Sequence, residues 1–331
     1  MSKPTIGLAI IARNEGKVLK GCIDSCRGID QISVVDTGSV DRTVEIAKEC
    51  GAEVAEIRWP DPPAQGEIWG PQHIAGVDFS AARNLSVDLL QTDWFIFLDA
   101  DERLDKAHIW NVRNDIDKIK ESDIGAILVT MYTEKGDHFW REKVLRRVPE
   151  TRFIGRVHEC ISNEMMNAKL LDGVKIHYEQ RANSGRNYAI LREEILTSEN
   201  VNDMRLQYLM GREEFCFGNH PAAAYWLDRY WRTYTMSGKN HPMRAADASF
   251  TCAMAHAAMG DFKQAKNYAT ICIGINPDFR EGAHLLADLA RHEGNALAQN
   301  RWIEMSKTAQ NIGSSFRSKY FQKATGQAVA A

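Results

Sequence analysis

No apolar run in this 331-residue chain approaches the roughly 20 residues a helix needs to span a bilayer, so a membrane-spanning enzyme is not expected. The first residues, Met1-Ser2-Lys3-Pro4, lead into a short strand pattern and lack the apolar core and small-residue cleavage site of a signal peptide. Cysteine is sparse and unpaired in pattern: the seven are scattered, odd in number and contain no C-x-x-C, although Cys22 and Cys26 lie one helical turn apart. They read as reduced cytosolic thiols, which excludes a disulfide scaffold. A large excess of charge of either sign is also missing. A net charge of -3 argues against bulk attraction to nucleic acid and leaves only a local basic face open. What remains is an ordinary globular composition, 44% hydrophobic and 26% charged, in a chain long enough for about two domains with a core each.

The first half alternates strand and helix. Thr5 to Ala12 is a β-branched apolar run with the length of a buried strand, followed by a helical pattern through Cys26. Ile32 to Val35 repeats the theme and stops at Asp36-Thr37-Gly38-Ser39. A helix over Asp41 to Cys50, a strand over Glu53 to Ile57 and a helix from about Ser80 to Leu90 follow. This order predicts an α/β fold, a parallel sheet with helices on both faces. The turn after the first strand, Ala12-Arg13-Asn14-Glu15-Gly16, has no G-x-G-x-x-G, which removes the case for a Rossmann dinucleotide site.

The most informative stretch is Trp94-Phe95-Ile96-Phe97-Leu98-Asp99-Ala100-Asp101, an apolar strand that ends in two carboxylates. Ligands gather at the carboxyl ends of such strands. Two acids there need neutralising, and a divalent cation carrying a diphosphate would do so. Taken alone, D-x-D also begins turns and caps helices. Asp36 can accept a hydrogen bond from a base imide or ribose hydroxyl, or start a turn. Arg83 offers a planar fork to phosphate, or a surface ion pair. A Pro- and Gly-rich stretch from Trp59 to Gly76 reads as a loop that shapes an acceptor or sugar pocket through Trp69 or His73, or as a surface excursion with Trp59 and Trp69 tucked against the core.

Four blocks in order, Ile11-Ala12-Arg13-Asn14-Glu15, Val34-Val35-Asp36-Thr37-Gly38-Ser39 with Asp41 and Thr43, Phe79-Ser80-Ala81-Ala82-Arg83-Asn84, and Leu98-Asp99-Ala100-Asp101-Glu102, resemble the family 2 glycosyltransferases of the GT-A fold. The resemblance covers about residues 5 to 180. It implies a nucleotide-sugar donor, UDP by expectation, bound by Arg13, Asn14, Glu15, Asp36, Arg83 and Asp99, with Asp36 on the base and Arg83 near the diphosphate. It implies Mn²⁺ or Mg²⁺ on the D-x-D acids, Asp101 the more direct ligand and Asp99 closer to the ribose. Phe153-Ile154-Gly155-Arg156-Val157-His158-Glu159 resembles the G-x-V-H-E block of one branch, and Ile176-His177-Tyr178 its strand ending in histidine, which makes His177 a third metal ligand. The implied reaction inverts the anomeric centre in one displacement. Glu159 is the preferred base, against a role as buried partner of Arg156 or Arg146, and Glu102 and His158 compete with it. Trp69, His73, His158 and Arg146 are candidate acceptor or sugar contacts, and Arg146 with Arg147 either faces phosphate or forms a solvated edge.

From about Arg186 the pattern is helical throughout. Gly260-Asp261-Phe262 and Gly294-Asn295-Ala296 lie 34 residues apart, the period of tetratricopeptide repeats, and Gly218-Asn219-His220-Pro221 marks an earlier turn before a polar insertion around Ser237 to Pro242. Two to three degenerate repeats are expected, and Gly185-Arg186-Asn187 resembles the junction to them. Tyr225, Trp226, Tyr230, Trp231 and Tyr234 crowd one helix, as core or as an acceptor platform or homodimer contact. The expected organisation is a GT-A catalytic domain over 1–183, a TPR-like domain over 184–313 and a frayed tail over 314–331. The expected protein is a cytoplasmic, metal-dependent glycosyltransferase whose acceptor is an envelope glycan or lipid core, a protein or peptide, or a modified nucleic-acid base. A noncatalytic repeat adaptor and a metal-dependent nucleotidyltransferase are the competing readings.

Overall fold

The computed structural model describes residues 3–105, 108–119, 124–133, 138–162, 167–178, 185–196, 202–237 and 242–308. The expected tail and most of the polar insertion after Ser237 lie outside the described residues. The chain divides into two compact units, 1–190 and 191–331. The division falls inside a helix, beyond the boundary at 183 expected from sequence.

In the first unit the elements in chain order are β1 (Ile6–Ala12), α1 (Leu19–Ser25), β2 (Gln31–Asp36), α2 (Thr43–Glu49), β3 (Glu53–Glu56), α3 (Pro71–Ile74), α4 (Phe79–Asp88) and β4 (Trp94–Asp99). They continue with β5 (Arg103–Leu104), α5 (His108–Lys118), β6 (Ile124–Thr133), β7 (His138–Arg146), β8 (Phe153–Ile154), β9 (Cys160–Ile161), β10 (Asn167–Tyr178) and α6 (Arg186–Ile195). Eight strands form one sheet in the order β3-β2-β1-β4-β7-β6-β10-β5, and β8 pairs with β9 apart from it. All seven residues of β1 are buried, because the strand has parallel neighbours on both sides and helices on both faces. Ile6, Leu8, Ile10 and Ala12 join Leu19, Ile23, Val112 and Ile116 on one face, whereas Ala9 joins Val87, Leu90 and Phe95 on the other. Asp78 accepts a hydrogen bond from the Ala81 amide, so α4 starts one residue earlier than the apolar pattern shows.

The expectation of a parallel sheet holds for β3, β2, β1 and β4 and again for β6 with β10, but not across the whole sheet. Strand β7 runs antiparallel to both β4 and β6, and β5 antiparallel to β10. The connection from β6 to β7 is far too short for the crossover that parallel pairing requires, so the pair closes as a hairpin.

The second unit contains α7 (Met204–Cys216), α8 (His220–Ser237), α9 (Pro242–Ala258), α10 (Phe262–Ile275), α11 (Arg280–His292) and α12 (Ala296–Thr308). They pack as successive pairs, α7 with α8, α9 with α10, and α11 with α12, and α8 and α10 carry the packing on to the next pair. Gly218, Gly260 and Gly294 have φ of 78°, 79° and 70°, and each stands two residues before a helix. The Asp261 carboxylate then accepts from the Gln264 amide, and the Asn295 side-chain oxygen from Ala298. Among the described residues three helical hairpins therefore stand where two to three repeats were expected. Of the aromatic group on α8, Tyr230 is buried and Trp231 and Tyr234 pack against the core, while Tyr225 is exposed. Among the described residues no helix is long and apolar enough to cross a membrane, and all seven cysteines are free.

The hairpins close through small residues. A Cβ built on Gly211 would lie 2.5 Å from Leu227 Cγ on α8, whereas one on Gly274 meets nothing within 4 Å. Gly211→Ala gains about 1 kcal/mol of helix propensity but incurs about 1–3 kcal/mol of overpacking, so it lowers the melting temperature. Gly274→Ala, with no clash, raises it. Thermal unfolding followed by circular dichroism checks the opposite signs.

Candidate active site

Parallel register brings three strand ends to one edge: Ala12 lies opposite Asp36, and Ile11 opposite Asp99. The two loops at the β1 and β2 ends are bonded to each other. Asn14, at φ 56°, donates its backbone amide to Ser39 Oγ at 2.8 Å, and its side-chain oxygen accepts from the Val40 amide at 2.8 Å. The Glu15 amide donates to Thr43 Oγ1, and the Gly16 amide to Asp41. Asp36 is buried, and its carboxylate accepts from the Gly38 and Ser39 amides and from the Ser39 hydroxyl. Of the two sequence readings for Asp36, turn formation is what its hydrogen bonds carry out. Arg13 donates to Pro60 O at 2.8 Å and pairs with Asp61 at 2.9 Å, so it tethers the Pro-rich insertion to the edge.

Arg83 lies at the centre. Its side chain is 9% exposed, with Phe97 and Phe153 rings beside it, and it bridges two carboxylates. Nη2 donates to Asp99 Oδ1 at 2.6 Å, and Nε donates to Glu159. Glu159 reaches it from the loop that joins β8 and β9, where Gly155 and His158 both have positive φ, 99° and 48°. The next residue, Asn84, clamps that hairpin by donating to Phe153 O and accepting from Phe153 N. The Glu159 partner is thus Arg83, not Arg156 or Arg146; Arg156 instead donates to the Val77 and Ile74 carbonyls. The Arg83 fork expected for phosphate is largely committed to carboxylates. Desolvation opposes ionisation of Asp99, but the Arg83 and Lys143 charges outweigh it and hold its carboxyl well below the usual range. About half of the Asp99 side chain, 48%, stays open.

A second ion pair backs the acidic turn. Glu102 accepts from the Asp99 amide at 3.0 Å and takes Lys143 Nζ at 2.9 and 2.6 Å, with both side chains 7% exposed and the ammonium 4.7 Å over the Phe97 ring. Burial pushes the Glu102 carboxyl up, and Lys143 opposes the rise. This pairing removes Glu102 as a competing base. Lys143 was not foreseen, because Arg141-Glu142-Lys143 reads as a solvated charged run and nothing local marks the lysine as buried. Arg103 ties the same turn to α1 by donating to the Ala100, Glu102 and Val18 carbonyls.

His177 stands opposite Arg103 across the β5–β10 pairing, on the strand beside the acidic turn. Its Nε2 is 3.5 Å from Asp105, and its ring stacks on Tyr132. Among the described residues no three His, Cys, Asp or Glu side chains stand preassembled as a metal cage. The candidate donors are the open side of Asp99 and an exposed imidazole facing an acid, with Asp101 two residues on in the same turn. Such a set suits Mn²⁺ or Mg²⁺, ions that complete their shells with substrate phosphate and water.

One expectation is corrected. Arg146 pairs with Trp94 at the start of β4, its guanidinium 4.8 Å over the Trp94 ring. Asp99 is five residues further along, about 17 Å at ~3.3 Å per residue, so Arg146 is at the opposite end of the strand and is no acceptor contact. Arg147, which donates to Thr92 O, stays at that end as well. In the insertion, Trp59 is buried with its ring 4.8 Å from Phe79, as the tucked reading has it. Trp69 and His73 instead face each other, and His73 Nδ1 bonds Asp61 O at 2.9 Å. Arg186, read from sequence only as part of a junction, lies 4.5 Å over the Phe79 ring.

The family model for glycosyl transferase family 2 matches residues 8–171. A TPR repeat-containing protein of Synechococcus elongatus is 28% identical over 162 residues, covering 49% of this chain and 36% of that protein. The SPbeta prophage-derived glycosyltransferase SunS of Bacillus subtilis is 28% identical over 159 residues, covering 47% of this chain and 34% of SunS. The matches thus span about a third of the length of these curated relatives. Among solved structures, S. aureus TarS in complex with UDP-GlcNAc aligns over 92% of both chains at 12% identity with a TM-score of 0.45. With the family's four blocks gathered at one sheet edge and helical hairpins following them in the chain, this protein belongs to glycosyl transferase family 2 through its amino-terminal unit and carries TPR-like repeats behind it.

Proposed function

We propose that the chain is a metal-dependent, inverting glycosyltransferase that moves a sugar from a nucleoside diphosphate, UDP by preference, to a hydroxyl-bearing acceptor. The observation that carries this reading is the Asp99–Arg83–Glu159 bridge, which fixes one carboxylate at the D-x-D turn and a second across the same edge of a family 2 sheet. A divalent cation held by Asp101 and His177, with the open side of Asp99, would supply charge neutralisation for a diphosphate there. The bonded β1 and β2 loops, with Asp36 and Asn14 at their centre, frame the nucleoside side. Glu159 takes the acceptor proton as the acceptor oxygen bonds to the anomeric carbon and the bond to the diphosphate oxygen breaks. Arg83 orients that carboxylate, and the positive φ of His158 aims the loop that presents it. The acceptor classes are an envelope glycan or lipid core first, then a polypeptide, for which a repeat surface is suited, then a modified base.

The intact bridge disfavours a noncatalytic adaptor, since a buried guanidinium with two carboxylates is costly to keep unless it serves the site. Mass spectrometry of reactions that offer a panel of nucleotide sugars to host-cell extract tests the proposal. Release of a nucleoside diphosphate with a glycosylated product supports it. Release of pyrophosphate from a nucleoside triphosphate marks a nucleotidyltransferase and overturns it.

Chelation should abolish transfer, and Mn²⁺ should restore it. Asp101→Ala is expected to remove metal-dependent UDP binding in calorimetry along with transfer; near-normal binding would take Asp101 out of the metal shell. Glu159→Gln should keep UDP affinity while lowering kcat by about 10²–10⁴-fold, and an unchanged kcat would exclude it as base. Lys143→Met strands Glu102 in the interior, an expected loss of about 3–5 kcal/mol at neutral pH. Because burial already raises the Glu102 carboxyl above its unfolded value, that loss shrinks as pH falls and Glu102 takes up a proton, which denaturation at pH 5 and pH 8 compares.

A further inference from the structure

The reaction proposed above gives the departing diphosphate a metal ion but no cationic side chain of its own. When the anomeric carbon–oxygen bond breaks, its electron pair goes to the diphosphate, which gains a unit of negative charge. The guanidinium groups around the site are mostly committed elsewhere. Arg83 has its charge matched by Asp99 and Glu159. Arg13 holds Pro60 and Asp61, Arg103 holds three carbonyls and Arg156 holds the Val77 and Ile74 carbonyls, while Arg141, whose charge also reaches Asp99, is exposed.

Arg186 differs from all of these. It is half-buried, and its guanidinium carbon sits 4.5 Å over the centre of the Phe79 ring, within cation–π range. Its Nε donates to the neighbouring Asn187 side chain at 3.2 Å, and among the described residues it forms no ion pair. Burial works to lower its pKa, while Glu159 and Asp99 are near enough to oppose that shift. Phe79 lies one helical turn before Arg83 on α4, which seats Arg186 beside the Asp99–Arg83–Glu159 bridge. Trp59 packs on the same Phe79, so the ring that carries Arg186 is itself braced. A stacked guanidinium keeps its plane fixed while its Nη groups stay available for a bidentate contact with phosphate oxygens.

We propose that Arg186 is the cation that receives the departing nucleoside diphosphate, the task the sequence motif assigns to Arg83. This rests on the glycosyltransferase reading, and the test separates the two. The full chain with Mn²⁺ is titrated with UDP, GDP, ADP and dTDP, and the tightest binder is then compared with its own nucleoside, measured by competition, for wild type, Arg186→Ala and Arg186→Lys. Arg186→Ala should weaken the diphosphate at least tenfold and leave the nucleoside unchanged, and Arg186→Lys should recover part of the loss, since an ammonium is no planar fork. Equal weakening of diphosphate and nucleoside in both variants would show a packing role, and unchanged diphosphate affinity would free Arg186 of any; either overturns the assignment. If Arg186→Ala melts below the assay temperature, the diphosphate-to-nucleoside ratio of Arg186→Lys decides. Wild-type protein that binds none of the four diphosphates overturns the glycosyltransferase reading itself.

Discussion

Removing a guanidinium from water costs several kcal/mol unless acids compensate it closely. Arg83 meets that demand by drawing Asp99 from the end of β4 and Glu159 from the β8–β9 loop to the same side chain. Much of the first unit follows from this constraint. The hairpin is held where Glu159 can reach, by Asn84 on Phe153 and by the Phe79 amide on Arg156 O. The R-N pair in one helix thus acts on two partners at once, Arg83 on charge and Asn84 on backbone.

The acidic turn has its own support from behind. Glu102 holds the Asp99 amide, Lys143 holds Glu102 from a neighbouring strand, and Phe97 lies between Lys143 and Arg83. Two positive side chains on one aromatic residue therefore stabilise two acids at one strand end. That arrangement leaves the outer side of Asp99 open at the edge, while Arg103 and the β5–β10 pairing bring His177 alongside.

The second unit rests on a different principle, close approach of small residues between paired helices. Gly211 meets Leu227 and Gly282 meets Ile273, and the left-handed glycines at 218, 260 and 294 set where each second helix begins. None of this involves the chemistry of the first unit.

The chain by itself determined the strands that precede Asp36 and Asp99, the helix carrying Arg83 and the helical period of 34, because each is a local matter of side-chain periodicity, capping and turn chemistry. The residue types at the edge were legible for the same reason: carboxylates at the ends of apolar strands have few explanations. Partnerships were not. Whether Glu159 pairs with Arg83, Arg156 or Arg146, and whether Arg146 faces the site or the far end of β4, depend on strand direction and register. Those were decided only when β7 folded back antiparallel between β4 and β6 and the β8–β9 hairpin docked on α4. Ion pairs join residues about 16 and 76 positions apart through space, and no local pattern carries that information.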